Sequence, residues 1–252
     1  EFAQMSFGQL TGVWADSQVI IVSSTSAFTN QAGPSFRSTD HGNTWALIVL
    51  PLPRGGVNDI AYFSNRLVAV GGEITDTVQS FLLTSNNLGQ SWQYSTLGLP
   101  GQFHGGFGNF LKVSDSVAYV YGSQGKIVYT SDGGATWVNR SVPDPATYVY
   151  DISIQPNGVV STQVVATSLN RTRFYQTTNN GVTWEETFTS STVDFFYGTA
   201  VVQNVLGTFI AGGGNLLAAE VRYRKSGEHD FVTVMHDSAS DTNISCKVQL
   251  SG

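Results

Sequence analysis

The chain has 252 residues, with 12 Lys plus Arg against 18 Asp plus Glu and a formal net charge of −6 at pH 7. Only four residues are lysines (112, 126, 225 and 247), a surface that repels phosphate backbones and anionic lipids and so argues against nucleic acid or anionic membranes as partners. Aromatics at 12% make the chain too apolar for disorder, and no run reaches the ~18 uninterrupted apolar residues of a membrane span.

In chain order, the first punctuation is the octapeptide Ser38-Thr39-Asp40-His41-Gly42-Asn43-Thr44-Trp45. Three apolar runs follow, Ile60–Phe63, Leu67–Val70 and Ser80–Leu83, each read as a short strand. They lead into Ser85-Asn86-Asn87-Leu88-Gly89-Gln90-Ser91-Trp92. The third copy is Thr130-Ser131-Asp132-Gly133-Gly134-Ala135-Thr136-Trp137, and the fourth is Thr177-Thr178-Asn179-Asn180-Gly181-Val182-Thr183-Trp184. The tryptophans are spaced by 47, 45 and 47 residues, and the shared pattern is [ST]-x-[DN]-x-G-x-[ST]-W. A further step of 47 reaches Phe231, where Ser226 and Phe231 mark a decayed fifth copy.

Each octapeptide has the chemistry of a hairpin turn. Asp40, Asn87, Asp132 and Asn179 can accept backbone N–H bonds. Gly42, Gly89, Gly134 and Gly181 allow a positive φ. Trp45, Trp92, Trp137 and Trp184 are then free to pack between units. The chain after each Trp supplies a fourth strand. Short strands, turn signals and no helical period predict an all-β chain. Four strands per repeat at this period predict a β-propeller of four-stranded antiparallel blades, with five repeats visible and a partial sixth open. The expected blades span about 6–53, 54–100, 101–145, 146–190 and 191–238 of a single domain covering 1–252, with an extra strand at 243–250.

The octapeptide resembles the Asp-box, or BNR repeat, of sialidase-like propellers, which include sialidases, sortilin-type receptors, xyloglucan-cleaving hydrolases and the photosystem II stability/assembly factor family. The repeat grammar is most similar to the last group, through Val57–Phe63, Val68–Gly72 and Val149–Ile154. The resemblance implies that the turns lie on the outer rim, away from ligands. It also implies that a sialidase would carry an arginine triad and a Tyr–Glu nucleophile pair. Here Phe36-Arg37 runs straight into Ser38 and the arginine motif is missing, so sialidase activity is not expected.

Candidate functional residues come from polar positions placed just before apolar inner strands: Gln9, Asp59, Asn109, Asp151 and Asp194, with Asn243 in the tail. Read as strand starts, they would ring one mouth of the propeller. Asp59, Asp151 and Asp194 would then raise one another's pKa and favour a sugar, a cation or a basic peptide. Phe103, His104, Phe107 and Tyr150 would add contacts, the first three from the glycine-rich loop Gly101–Gly108. Gly122–Lys126 is read as a hairpin turn and not a phosphate loop. The lone Cys246 and the dispersed histidines 41, 104, 229 and 236 give no disulfide framework and no metal spacing, so no metal or cofactor is expected.

The expected function is a non-catalytic, extracellular or cell-surface binding module that recognises a glycan or a protein through a loop-bearing face. The alternatives are a glycoside hydrolase or polysaccharide lyase, in fragment or whole, and a photosystem assembly factor. Sequons at Asn139, Asn170 and Asn243 permit N-glycosylation. No signal-peptide start is present, so a secreted protein would be represented by its mature form. The oligomeric state is left open.

Overall fold

A computed structural model describes residues 10–24, 33–52, 55–74, 78–95, 107–122, 124–143, 147–154, 158–166, 171–189, 197–203, 207–214, 218–225 and 232–237. Among these residues every regular element is a strand. The strands form five four-stranded antiparallel sheets. The first comprises β1 (Leu10–Ala15), β2 (Ile20–Ser24), β3 (Ser35–Ser38) and β4 (Ala46–Ile48). The second comprises β5 (Gly56–Phe63), β6 (Arg66–Ile74), β7 (Val78–Ser85) and β8 (Gln93–Ser95). The third comprises β9 (Phe107–Lys112), β10 (Ala118–Gly122), β11 (Ile127–Thr130) and β12 (Val138–Asn139). The fourth holds β13 (Thr147–Ile154), β14 (Val160–Ala166), β15 (Arg171–Thr177) and β16 (Glu185–Thr189). The fifth holds β17 (Tyr197–Gln203), β18 (Gly207–Gly214), β19 (Ala218–Lys225) and β20 (Val232–Asp237). The strands of each sheet neighbour one another in chain order, which short turns between antiparallel strands produce directly.

The chain divides into two units: Glu1–Ser123 with Val128–Asn139, and Gln124–Ile127 with Arg140–Gly252. In the first unit, the second sheet is buried on both faces. Leu67, Ala69, Phe81 and Leu83 join Val19, Ile21 and Ile48 of the first sheet in one cluster. Val68, Val70 and Leu82 join Ala118, Val120, Val128 and Trp137 of the third sheet in another. Successive strand residues point to opposite faces, so a strand covered on both sides must be apolar at every position. That is the reason Leu67-Val68-Ala69-Val70 carries no alternation.

In the second unit, β13 pairs with β14, β14 with β15 and β15 with β16. Val149, Ile152, Val160, Phe174 and Tyr175 are buried there. The fifth sheet forms, and residues 226–231, which carry the decayed fifth octapeptide from its Asp position to its Trp position, lie outside the described residues. So does the tail at 243–250.

One irregularity recurs. The pairing of the first two strands shifts register in every sheet: between Leu10 and Gly12, Val57 and Asp59, Val149 and Asp151, Tyr197 and Ala200, and opposite Phe107 and Asn109. A bulge adds one residue, bends the strand and re-aims the side chain beside it.

Candidate functional site

The four octapeptides share one hydrogen-bond scheme. The hydroxyl at the first position donates to the Asp or Asn Oδ1 at 2.8–2.9 Å and accepts the glycine N–H at 2.8–2.9 Å. These hydroxyl residues, Ser38, Ser85, Thr130 and Thr177, are all buried, so their bonds are screened from water. The seventh-position N–H donates to the same Oδ1 at 2.8–3.0 Å. Its hydroxyl then adapts. Thr44 and Thr136 donate to Asp40 and Asp132 at 2.6 Å. Ser91 and Thr183 instead accept from the amides of Asn87 and Asn179 at 2.8 and 2.9 Å. A hydroxyl donates or accepts with equal ease, and this is why Asp and Asn interchange in the pattern.

The turn seats on the preceding sheet. Gly134 has φ +78°, and a Cβ there would lie 2.9 Å from Val68 Cγ2 and 3.4 Å from Trp137 Cζ2. Only glycine meets both demands. The residue before each octapeptide glycine is also left-handed: His41 at φ 57°, Leu88 at 51°, Gly133 at 67° and Asn180 at 55°. His41 is exposed and pays this cost without packing in return. His41→Gly should therefore stabilise the fold by about 1 kcal/mol, read as a raised urea midpoint at unchanged slope.

The acidic turns carry an acid sensitivity. Hydrogen bonds from the Thr44 side chain and backbone, then Ser38, lower the pKa of Asp40 to about 2 from an ordinary 3.8. Burial pushes Asp132 up, but bonds from Thr136 and Thr130 outweigh it and hold the group below the ordinary value. A carboxylate with a depressed folded pKa contributes stability that is full above 3.8 and lost as pH falls toward 2. Asp40→Asn, which reproduces the natural second and fourth turns, should therefore flatten the acid limb of stability between about pH 4 and 2. Denaturant titrations across that range will show it.

The polar positions assigned to a mouth lie elsewhere than expected. Asp59, Asn109 and Asp151 do not begin strands. They lie inside β5, β9 and β13, each directly after a bulge. For Asp59 the polarity follows from the bulge, which leaves local backbone groups to satisfy. Asp59 Oδ1 accepts the Ile60 N–H at 2.8 Å, and its Oδ2 accepts the Phe110 N–H of β9 at 2.9 Å. The carboxylate therefore ties the second sheet to the third. Burial raises its pKa, against the pull of those two bonds. Desolvation is the leading cause, in place of the expected repulsion between carboxylates. The bulge in β1 makes the matching tie, with Thr11 Oγ1 donating to Val57 O at 2.5 Å. Asn109 is exposed. Tyr150 lies in β13 and Phe107 opens β9. Phe103, His104, Asp194, Asn170 and Asn243 lie outside the described residues, while Asn139 is exposed on β12.

A cleft of about 490 Å³ opens over the first strands of the first unit. Its lining includes Trp14 and Asp16 from the first sheet, Asp59 and Tyr62 from β5, and Phe110 and Lys112 from β9. The Trp14 and Tyr62 rings are 5.4 Å apart and tilted by 33°. Asp16 Oδ1 accepts the N–H groups of Gln18 and Val19, both at 2.7 Å, which fixes the carboxylate at the strand end. Lys112 Nζ is 2.7 Å from Asp115 and 5.6 Å from the Phe63 ring centre. Asp59 is the one residue of the expected set that this cleft includes. Trp14, Asp16 and Tyr62 were missed, although a signal existed. Trp14 is the one tryptophan outside the octapeptide register, and the bulges align it with Ala61, Leu111 and Ser153. A side chain that breaks the repeat is where a one-sided site belongs.

A second cleft, of about 530 Å³, lies beside the edge strand β4 and the second octapeptide, with Leu47 and Val49 exposed by 55% and 85%. Arg37 lines it, and its Nε donates to Leu88 O at 2.8 Å, a framework role. In the second unit Tyr175 Oη is 3.4 Å from Glu186 Oε2, but Tyr175 is only 3% exposed and cannot meet a substrate. Among the described residues, no three His, Cys, Asp or Glu side chains gather as a metal ion would require, and no helix is long and apolar enough to cross a membrane.

No family model matches the chain, and no curated protein matches it. Solved structures do. YCF48 bound to D1 peptide is similar at TM-score 0.56 and 14% identity, over 93% of this chain and 69% of that one. YCF48 from Cyanidioschyzon merolae gives 0.55 and 14%, over 89% and 71%. The GH74 xyloglucanase from Xanthomonas campestris gives 0.54 and 15%, over 87% and 37%. The chain has a β-propeller fold. Each four-stranded sheet is a blade, β1, β5 and β9 are the first strands of their blades, and the octapeptides join the third strand of a blade to its fourth.

Proposed function

We propose that the protein is a non-catalytic, extracytoplasmic binding module whose ligand occupies the cleft formed by Trp14, Asp16, Asp59, Tyr62, Phe110 and Lys112. The observation that carries this reading is the Trp14–Tyr62 aromatic pair beside fixed carboxylates, on strands held rigid by the Thr11 and Asp59 ties. A concave, partly apolar site with a few oriented polar groups on a stiff scaffold is what small ligands and peptide segments need. We also read the octapeptides as Asp-boxes of the sialidase-like superfamily, supported by the bonding scheme common to all four. The lysine-poor composition supports an extracytoplasmic setting, which the exposed Asn139 sequon permits.

One observation favours a glycoside hydrolase instead. Two carboxylates, Asp16 and Asp59, share the cleft, and burial raises the pKa of Asp59 as a general acid requires. Both Asp59 oxygens accept backbone N–H groups, however, and these two bonds favour the ionised form over the protonated one that a general acid needs. The assembly-factor alternative calls for a peptide ligand at the same kind of site. Immobilised polysaccharides and a peptide library, assayed in parallel for retention and for reducing-end release, separate the readings. Retention without release is the expected result. Release of reducing ends would make the protein an enzyme.

A further inference from the structure

The chemistry of the cleft selects among ligands. Its side chains mainly offer acceptors. Asp16 spends Oδ1 on the turn and keeps Oδ2, and each Asp59 oxygen accepts a single N–H. The side-chain donors are the Tyr62 hydroxyl, which donates to Ser64 O at 3.2 Å, the Lys112 ammonium, which donates to Asp115 at 2.7 Å, and the Trp14 indole N–H. A sugar hydroxyl both donates and accepts, and the carboxylate oxygens of Asp16 and Asp59 answer only its donating side. A cation needs acceptors and aromatic faces only.

We propose that this cleft binds the guanidinium group of an arginine in a peptide segment of a partner protein, stacked against Trp14 and Tyr62 and paired with Asp16 and Asp59. The inference rests on the binding-module reading and names its ligand. Guanidinium is planar, weakly hydrated and forked, so it stacks on a ring face while its edge meets a carboxylate. The splayed Trp14 and Tyr62 planes give it such a face. Lys112 does not oppose it, because Asp115 neutralises the ammonium locally. Burial raises the pKa of Asp59, so a guanidinium placed beside it would stabilise the ionised carboxylate. The net charge of −6 draws such a segment in. The cleft, at about 490 Å³, is larger than one side chain and accommodates neighbouring peptide backbone.

The test uses the full chain and two blocked pentapeptides, Gly-Gly-Arg-Gly-Gly and the same peptide with citrulline, which keeps the shape and loses the charge. Amide and indole signals are followed by NMR during titration. The arginine peptide should shift Trp14, Asp16 and Tyr62 saturably, and the citrulline peptide should bind about tenfold more weakly or not at all. Asp16→Asn keeps the turn-capping oxygen and removes the charge, and it should weaken the arginine peptide by a similar factor. Rising salt should weaken it further. Equal binding of citrulline, indifference of Asp16→Asn, or an arginine peptide that leaves these signals unmoved each overturns the proposal. A xyloglucan oligosaccharide that shifts the same signals while the arginine peptide does not would end this inference and keep the cleft as a binding site. Failure of the cleft itself is read separately, from the ligand screen.

Discussion

Trp137→Ala should cost the fold about 3–5 kcal/mol, the usual range for removing a buried aromatic. Trp137 is 9% exposed and belongs to the cluster that joins the second sheet to the third. Its ring centre is 6.3 Å from that of Phe110, and its Nε1 donates to Gly134 O at 3.2 Å. Removing it opens a cavity over Val68 and leaves the turn without its anchor. Chemical denaturation at pH 7 gives the number. A loss under about 1 kcal/mol would mean that the octapeptide tryptophans are not framework.

Asp59→Asn should also destabilise the protein, by about 1–3 kcal/mol, even though it conserves shape. Both carboxylate oxygens accept backbone N–H groups, from Ile60 and from Phe110. An asparagine presents one oxygen and one amide nitrogen, so one N–H then faces another donor. Burial raises the pKa of Asp59, so its ionisation lowers stability as pH rises from 3.8 through the raised folded value. Asp40 and Asp132 run the opposite way. The acid limb of stability therefore combines two signs, and the Asp59 and Asp40 variants separate them.

Much of the fold was legible because the octapeptide is local chemistry. Its Ser or Thr, Asp or Asn, Gly and Trp sit within eight residues and build the turn almost unaided. Four copies in register then set the repeat. The site was far less legible. Asp59 looked like a strand start, because a bulge is invisible to a two-residue period. Its partner, the Phe110 N–H, lies 51 residues away and is a backbone group that no side-chain pattern announces. Trp14 and Tyr62 come from two different sheets, and only their packing brings the rings within 5.4 Å. Asp16 stands in a turn whose two N–H groups it accepts, and nothing in its local sequence marks it as more than a turn residue.

The central claim is that ligand binding belongs to the cleft of Trp14, Asp16, Asp59 and Tyr62, where Asp59 also ties two sheets together, while the octapeptides are framework. Trp14→Leu tests it most directly, because leucine preserves apolar contact with the adjoining core while removing the ring face. Thermal unfolding and retention on the ligand captured in the screen are measured on the same preparation. The account predicts a folded protein whose retention falls about tenfold or more, as loss of one aromatic contact implies. A folded Trp14→Leu protein with unchanged retention would contradict it and move the site away from this cleft.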